Sequence, residues 1–462
     1  MEPKPSSERR SQQIRPAGIT ALPVEILARC FFFLPEELFG RLSILHVSRT
    51  WRTTAFSFPE TWSVIRISQG DPSAHLFLNL VLLNTASYPV DFHFTSSAML
   101  GTSSEDMSLV VAEHLERFRS IAWTASPMDA MPLETEAPFL EHVSGRILFP
   151  IASRFLGGVP GRLRSLELDR LCLPRRCPAL ATLRHLKSSV YARESGFLHM
   201  LFDICPQLES LDLGMMIKDP AFQPRGPAPQ SLRRLRLEII DCGSDPRNDA
   251  NCKDLYSLCR SWRLGPLLQS LELVTFSLTV TDMYLSLILD GADSLAVLTD
   301  SRTCITARHT GGKNRTKCLR SHVPGDVSKI AKSLAASTLA DLRSLAITSD
   351  VFRRFTSEGG VLPALTHLHL IVNRGQWVPA RSDAPPWTHL YALAQMPQLE
   401  AVDIDVRHSE DALDNTRWLP ALPNAAHAQS LLATLAAGLT HHVTVSIRGF
   451  PPDVAGAVSL PL

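Results

Sequence analysis

The sequence predicts a mixed α/β protein, in which a small all-helical segment precedes an irregular α/β repeat array with a parallel sheet. Three observations support this prediction: a nearly continuous apolar helical pattern after Pro23, a phrase Leu-x-x-Leu-x-Leu that recurs beyond residue 110, and prolines just ahead of most copies. The predicted divisions are a disordered tail at 1–17, the helical segment at 18–68, the array at 69–450 and a C-terminal tail at 451–462.

The first predicted helix begins at Pro23, because the missing N–H of proline is no loss at the first position of a helix. Its apolar residues fall on two sides: Ile26, Leu27, Cys30, Phe31 and Leu34 on one, and Val24, Ala28 and Phe32 on another. A helix that is apolar on more than one side must be covered on more than one side. We therefore expect a second domain or a partner protein to cover what this short segment does not.

The same segment resembles the F-box family. The residues that match the family pattern in order and spacing are Leu22, Pro23, Glu25, Ile26, Leu27, Phe31, Leu34, Glu37, Leu38, Leu42, Val47, Arg49, Trp51, Arg52, Pro59 and Trp62. The sequence differs at Cys30, Glu37 and Ser48, where the family usually has isoleucine, aspartate and cysteine. Gly40 lies inside the second predicted helix, where glycine costs about 1 kcal/mol relative to alanine.

The F-box resemblance implies a partner, a Skp-type adaptor, and through it a cullin. The residues implied at the adaptor contact are Leu22, Pro23, Ile26, Leu27, Phe31, Leu38, Leu42, Val47 and Trp51. The implied function is that of a non-catalytic substrate-recognition subunit of an SCF-type (cullin-RING) ubiquitin ligase, which also binds a protein target. The alternative is that the helical start is only the cap of a repeat array that acts as a protein-interaction scaffold outside any ligase.

The repeated phrase predicts short strands with one buried face, since its last two apolar positions alternate with polar residues. Its strong copies begin at Leu163, Leu208, Leu232, Leu268, Leu342, Leu365 and Leu399, with weaker ones at Phe118 and Leu180. A proline two or three residues ahead of most copies ends the preceding segment. The phrase resembles a degenerate leucine-rich repeat, which implies an irregular leucine-rich-repeat-like α/β solenoid with a parallel sheet.

Between the helical segment and the clear repeats, 75–84 reads as a buried helix, 90–94 as a strand, 108–118 as a helix and 119–123 as a strand. At the far end, 443–447 alternates between apolar and polar residues and is predicted as the closing strand. This order would let the array begin directly behind the helical segment.

In a leucine-rich solenoid the polar residues beside the inner leucines line the concave sheet, so they are candidates for contact with a protein target. The residues predicted in this way are Glu167, Asp212, Arg234, Arg236, Glu272, His367, His369 and Asp403. The alternative is that they are ordinary solvent-facing strand positions, and the sequence does not separate the two.

The segment 302–320 carries basic residues and no acidic ones. We expect a flexible, solvated insertion here, with binding of phosphate or an acidic partner as the alternative. Gly311-Gly312-Lys313 within it lacks the spacing of a phosphate-binding loop and is predicted as a turn.

Composition and motifs restrict the remaining function classes. Lysine and arginine (46) balance aspartate and glutamate (45), so nothing indicates binding to nucleic acid or to a membrane, and no apolar run reaches the length of a membrane span. Nine cysteines without a C-x-x-C pair predict neither a disulfide framework nor a zinc site. With no catalytic motif, metal site, cofactor site or visible secretory signal, we expect a non-enzymatic cytoplasmic and/or nuclear protein.

Overall fold

The computed structural model of the protein describes most of the segments that the sequence predicts as regular. The described residues are 22–34, 37–68, 73–85, 87–95, 102–124, 133–145, 151–169, 171–190, 198–215, 225–239, 262, 264, 268–275, 285, 288–289, 291–299, 303–309, 315–321, 326–337, 339–373, 388–407, 425–439, 441–448 and 456–460. The predicted tail at 1–17 and the predicted turn at 311–313 lie outside them.

The α-helices and strands of this part of the chain follow one another in the mixed order expected of an α/β protein. The helices are α1 Val24–Phe32, α2 Leu38–Val47, α3 Arg49–Ser57, α4 Ala74–Asn84, α5 Thr102–Glu113, α6 Leu201–Ile204, α7 Val327–Ala336, α8 Ser349–Ser357 and α9 Ala425–Gly438. The strands are β1 Val64–Ser68, β2 Val90–Thr95, β3 Phe118–Trp123, β4 His142–Gly145, β5 Ser165–Leu168, β6 His185–Val190, β7 Ser210–Met215, β8 Arg234–Ile239, β9 Ser270–Thr275, β10 Ser294–Thr299, β11 Thr303–His309, β12 Arg315–Ser321, β13 Ser344–Thr348, β14 His367–Asn373, β15 Ala401–Arg407, β16 Val443–Arg448 and β17 Gly456–Leu460.

The chain divides into two compact units, one formed by Met1–Leu148 with Arg154–Leu163 and the other by Phe149–Ser153 with Arg164–Leu462. The first unit contains α1 to α5 and a parallel sheet in which β1, β2, β3 and β4 pair in chain order. Phe92 and Trp123 on the central strands are fully buried, with ring centroids 6.3 Å apart. Their packing places the core of this unit on one face of the sheet.

Side-chain and backbone hydrogen bonds fix the start of the first unit. Pro23 stands immediately before α1, and its carbonyl oxygen accepts the N–H groups of Ile26 and Leu27 at 3.0 Å. The Ser48 hydroxyl caps α3 by accepting the N–H of Trp51 at 3.1 Å, which satisfies a donor that the helix itself leaves open. The buried Trp62 ring donates to the carbonyl of Ala55 at 2.9 Å and ties the following 3₁₀ turn to α3.

The second unit is built on one large sheet. Its strands pair in the order β5-β6-β7-β8-β9-β12-β11-β10-β13-β14-β15-β16-β17. Among the described pairs, β11 is antiparallel to both neighbours and β17 is antiparallel to β16, whereas the other pairs are parallel. The prediction of an α/β fold with a mostly parallel sheet is therefore confirmed.

The repeated phrase forms the buried face of this sheet, because its leucines share one register. Leu211 pairs with Leu235, which pairs with Leu271, and all three are at least 97 % buried. The same holds further along, where Leu368 lies between Leu345 and Val402. Each copy thus contributes a strand whose apolar side chains stack on those of the next copy.

Several local predictions need correction. The basic segment is not a solvated loop: β11 and β12 form an antiparallel pair that fills the sheet between β9 and β10. Ile305 and Leu319 are buried there. The alternation of apolar and polar residues therefore identifies two strands, even though several of the polar residues are positively charged. The helix predicted as buried, α4, buries Leu78 and Leu82 but leaves Leu76 and Leu83 exposed. The predicted helix 108–118 ends earlier, since α5 stops at Glu113.

Four further strands add to what the sequence predicted. β1 lies inside the segment 18–68, which was predicted as all-helical, and β4 matches no copy of the repeated phrase. β10 matches no copy of the repeated phrase, yet its burial alternates like that of the others. β17 lies within the segment predicted as the C-terminal tail and pairs antiparallel with β16, the strand that was expected to close the array.

Candidate protein-binding surfaces

A set of apolar side chains on α1 and its flanks, and at the end of α2, faces solvent. Phe33 is 90 % exposed and Ile26 44 %. We call this set the N-terminal apolar surface; its members are Leu22, Val24, Ile26, Phe32, Phe33 and Val47. Six exposed large apolar side chains within 22–47 make this segment a candidate for a protein contact.

The exposure follows from the way α1 packs inside its own unit. Leu27 and Phe31 turn inward and are almost completely buried, and the Phe31 ring lies 5.3 Å from the Trp51 ring on α3. By helical geometry, Leu22 and Ile26 lie on the side away from Phe31. The unit therefore uses one apolar side of α1 for its core and leaves the other without cover from the described residues.

The structure divides the nine residues predicted at the adaptor contact into four groups. Leu22, Pro23, Ile26 and Val47 are exposed; Leu27, Phe31 and Leu42 are buried in the unit itself; Trp51 is half-buried; Leu38 begins α2, and its side chain lies outside the described residues. The three buried residues belong to the internal core of the unit, and their contact with an adaptor stays a prediction.

Sequence reasoning left three exposed residues out of this surface: Val24, Phe32 and Phe33. The signal was present for Val24 and Phe32, which formed the second apolar side of the predicted helix. The family pattern does not include Val24 or Phe32, so the sequence analysis does not predict them as contact residues.

The polar face of the large sheet carries a row of charges that alternate in sign from strand to strand. In register, Glu167 lies beside Lys187, Lys187 beside Asp212, Asp212 beside Arg236, and Arg236 beside Glu272. We call these five residues, with the adjoining Glu238 and Arg320, the charge ladder. Opposite charges placed side by side on neighbouring strands stabilise the pairing of those strands.

The ion pairs of the charge ladder are formed within the chain. Lys187 donates a hydrogen bond to Glu167, and this bond raises the pKa of the lysine. Arg236 is held 3.1 Å from both Asp212 and Glu238, and its Nε is 3.8 Å from Glu272. The Nε of Arg320 is in turn 3.1 Å from the other oxygen of Glu272. These side chains therefore already form ion pairs with one another before any target binds, although the Glu272 oxygen next to Arg320 is buried and accepts no hydrogen bond.

Of the predicted target-binding residues, the structure places Glu167, Asp212, Arg236 and Glu272 together in this ladder. Arg234 is exposed and lies on β8 two residues before Arg236, on the same face of the sheet. Lys187 was missed because it flanks a weak copy of the repeated phrase, although its position beside Leu186 is the same as that of Asp212 beside Leu211.

The other predicted residues lie on the later strands of the same face. His367 is exposed and shares a hydrogen bond of 2.8 Å with the Thr366 hydroxyl. His369 pairs in register with Asp403, and its Nε2 is 3.9 Å from Asp405. His367, His369 and Asp403 form a second polar group, which is separated from the charge ladder by the strands β10, β11 and β13.

Over the described ranges, no group of three or more histidine, cysteine, aspartate or glutamate side chains has an arrangement that would hold a metal ion. In the same part of the chain, no helix is both long and apolar enough to cross a membrane.

Comparison with known proteins adds no family assignment. No protein-family model matches the chain, and no curated protein matches it.

Proposed function

We propose that this protein is a non-catalytic substrate-recognition subunit of an SCF-type ubiquitin ligase. The N-terminal helical segment would bind a Skp-type adaptor, and the sheet of the second unit would bind a protein target. The observation that carries the proposal is the N-terminal apolar surface, on a helix whose opposite side is already used for the core. The F-box resemblance of 22–62 names the class of partner that would cover it.

The proposed contact includes Leu22, Ile26 and Phe33, which lie on the side of the helix away from Phe31, and the exposed Val24, Phe32 and Val47 are further candidates. Their burial against a partner would remove apolar side chains from water, which is the main favourable term in most protein association. Truncation of one well-buried anchor in such a contact typically costs about 2 kcal/mol or more. Because Leu27, Phe31 and Leu42 are internal, they would support this surface indirectly by holding α1 in place.

In this proposal the polar face of the large sheet holds the target while other subunits supply the ubiquitin chemistry. Its contribution is proximity, which raises the effective concentration of the target near the conjugating enzyme. The charge ladder and the group around His369 and Asp403 are the polar features that a target would meet on this face.

The test is binding of the full chain to a purified Skp-type adaptor. Leu22→Ala with Ile26→Ala removes two exposed side chains and should weaken adaptor binding about 100-fold or more, at about 1.5–2 kcal/mol each. The matched control is Leu76→Ala with Leu83→Ala, which removes two exposed leucines from α4 of the same unit and should leave affinity unchanged.

Two outcomes would contradict the proposal. If the variant with Leu22→Ala and Ile26→Ala binds the adaptor as tightly as the control variant, the N-terminal apolar surface is not the adaptor contact. If the wild-type chain does not bind the adaptor at all, the assignment to a ligase is wrong, and a repeat scaffold that acts outside any ligase becomes the better hypothesis.

A further inference from the structure

Two cysteines meet on the polar face of the large sheet, on the antiparallel pair β11 and β12. Cys304 lies opposite Arg320, and Cys318 lies opposite Thr306, so the cysteines are diagonal neighbours. Their Sγ atoms are 3.7 Å apart. Both are free thiols, Cys318 buried and Cys304 half-buried. A disulfide requires the sulfur atoms to approach to about 2.05 Å, and because diagonal positions on neighbouring strands are typically about 7–8 Å apart, its closure also requires the two backbones to move closer together.

Polar groups surround the two sulfur atoms. The Thr306 hydroxyl donates a hydrogen bond of 3.4 Å to the Cys318 sulfur and lies 3.6 Å from the Cys304 sulfur. The charged groups nearest the pair are Arg320 on β12 and Glu272 on β9, which is the register partner of Cys318. These groups give the thiols a polar setting that an ordinary core cysteine lacks, in which the Arg320 cation is ion-paired with Glu272.

This setting separates the ionisation of the two thiols. Hydrogen bonding with Cys318, and then Thr306 and the charge of Arg320, outweigh partial burial and lower the pKa of Cys304 to about 6. Hydrogen bonding to Cys304, followed by burial, raises the pKa of Cys318. These hydrogen bonds therefore favour loss of the proton from Cys304 before Cys318.

We propose that Cys304 and Cys318 form a peroxide-sensitive dithiol, in which hydrogen peroxide attacks Cys304 first and Cys318 then closes a disulfide. The proposal goes beyond the adaptor and target contacts and does not depend on them. It rests on the sulfur–sulfur contact, on the partial exposure of Cys304 and on the hydrogen-bonding groups beside it.

The chemistry requires peroxide as the only co-reactant. The Cys304 thiolate attacks one peroxide oxygen, so that an S–O bond forms, the O–O bond breaks and hydroxide leaves; the sulfur is oxidised by two electrons and the peroxide is reduced. The Cys318 sulfur, after losing its proton, attacks the sulfenic sulfur of Cys304 and releases a second hydroxide. The hydroxides take up protons, so two thiols and one peroxide give one disulfide and two waters.

The second step is helped by the first. While Cys304 is a thiolate, its negative charge opposes loss of the proton from Cys318. Sulfenic acid is uncharged, so its formation removes that repulsion, whereas Arg320 remains beside the pair. Other described cysteines lack this arrangement: Cys177 and Cys205 are buried, and burial raises the pKa of Cys177 to about 11.

The first measurement is the pH dependence of iodoacetamide alkylation at each cysteine of the full chain, followed by mass spectrometry of peptides. Relative to a thiol of pKa 9.0, a pKa near 6 gives about 500 times more thiolate at pH 6. The lower nucleophilicity of such a thiolate removes about 20-fold of that gain, which leaves Cys304 about 20-fold faster. Its rate should level off above pH 7, while buried Cys205 stays unmodified.

The second measurement is treatment of the reduced chain with limiting hydrogen peroxide. We expect loss of two thiols and a Cys304–Cys318 cross-linked peptide that disappears on reduction. Cys318→Ser should instead accumulate sulfenic acid on Cys304, trapped by dimedone. Thr306→Val should raise the pH at which alkylation levels off, whereas Thr316→Val, on the same face of β12, should not change it.

The proposal is overturned if alkylation of Cys304 keeps rising to pH 9 with no plateau. It is also overturned if peroxide yields a dimedone adduct on wild-type Cys304 without the cross-linked peptide. Both readouts are taken on the wild-type chain, so neither depends on whether a cysteine variant folds.

Discussion

Arg236 is the best single point at which to perturb the charge ladder, because it contacts three carboxylates at once. Arg236→Gln keeps a long polar side chain but removes the charge between Asp212, Glu238 and Glu272. The Arg236 side chain is 35 % exposed, so each ion pair stabilises the folded state by less than a buried pair would, about 0.5 kcal/mol. Three such pairs together contribute about 1.5 kcal/mol to the free energy of unfolding. For a unit of about 300 residues, at about 2.1 cal/mol/K of unfolding entropy per residue, that corresponds to a fall in melting temperature of about 2 °C.

The assay is thermal unfolding of the full chain at low and high salt. At about 1 M salt the screening length falls to about 3 Å, so the difference between wild type and Arg236→Gln should shrink. The matched control is Arg234→Gln, the same exchange on the same strand and face but at an exposed position outside the ladder. If both variants melt at the wild-type temperature, or if the effect of Arg236→Gln is independent of salt, the ladder does not stabilise the sheet as argued.

Three further predictions follow from burial and charge. Leu368→Ala should lower the free energy of unfolding by about 3 kcal/mol, because it leaves a cavity in the packed face, whereas Val361→Ala should change it by less than about 0.5 kcal/mol; urea titration of both variants decides this. Phe31→Ala should destabilise the first unit by about 3–4 kcal/mol and Phe33→Ala by less than about 0.5 kcal/mol, so equal losses in thermal unfolding would contradict the inward packing of α1. The pKa of Lys187 is raised in the folded state, so its ion pair contributes stability below the unfolded pKa of about 10.4 and loses it as pH rises through the folded value; the stability difference between wild type and Lys187→Met should therefore be constant from pH 7 to 9 and vanish at higher pH.

Much of the sheet could be predicted from the sequence because one local signal marks each strand. The alternation at Leu365, Leu368 and Leu370 fixes both the strand and its buried face, and the same signal recurs in copy after copy. The strand β10 and the pair β11–β12 carry the same alternation, for example Leu295 with Val297, without the preceding leucine of the phrase. A search for the phrase alone therefore finds no strand between the copies at Leu268 and Leu342. The positive charge of 302–320 then favours the prediction of a loop.

The candidate site was harder to predict, since it depends on which side of a helix turns inward. The prediction places Ile26 and Phe31 in one broad apolar stripe, although five residues turn a helix by about 140° and so put them on nearly opposite sides. Only the packing of Phe31 against Trp51 shows that Phe31 belongs to the core and Ile26 to the surface. In the same way, the pairing of Lys187 with Glu167 depends on how β5 and β6 align, and the sequence of one strand alone does not specify that alignment.

The pairing within the charge ladder changes what the polar face can contribute to target binding. Its members are four carboxylates (Glu167, Asp212, Glu238 and Glu272) and three cations (Lys187, Arg236 and Arg320), so the formal sum is 3 − 4 = −1. A nearly neutral row of alternating charges produces little field at a distance, because neighbouring contributions cancel. Long-range steering of a charged target, which accelerates association at low salt, should therefore be weak here. A target bound on this row would be recognised at short range, by hydrogen bonds that fit the order of the charges, and its association rate should change little between low and physiological salt.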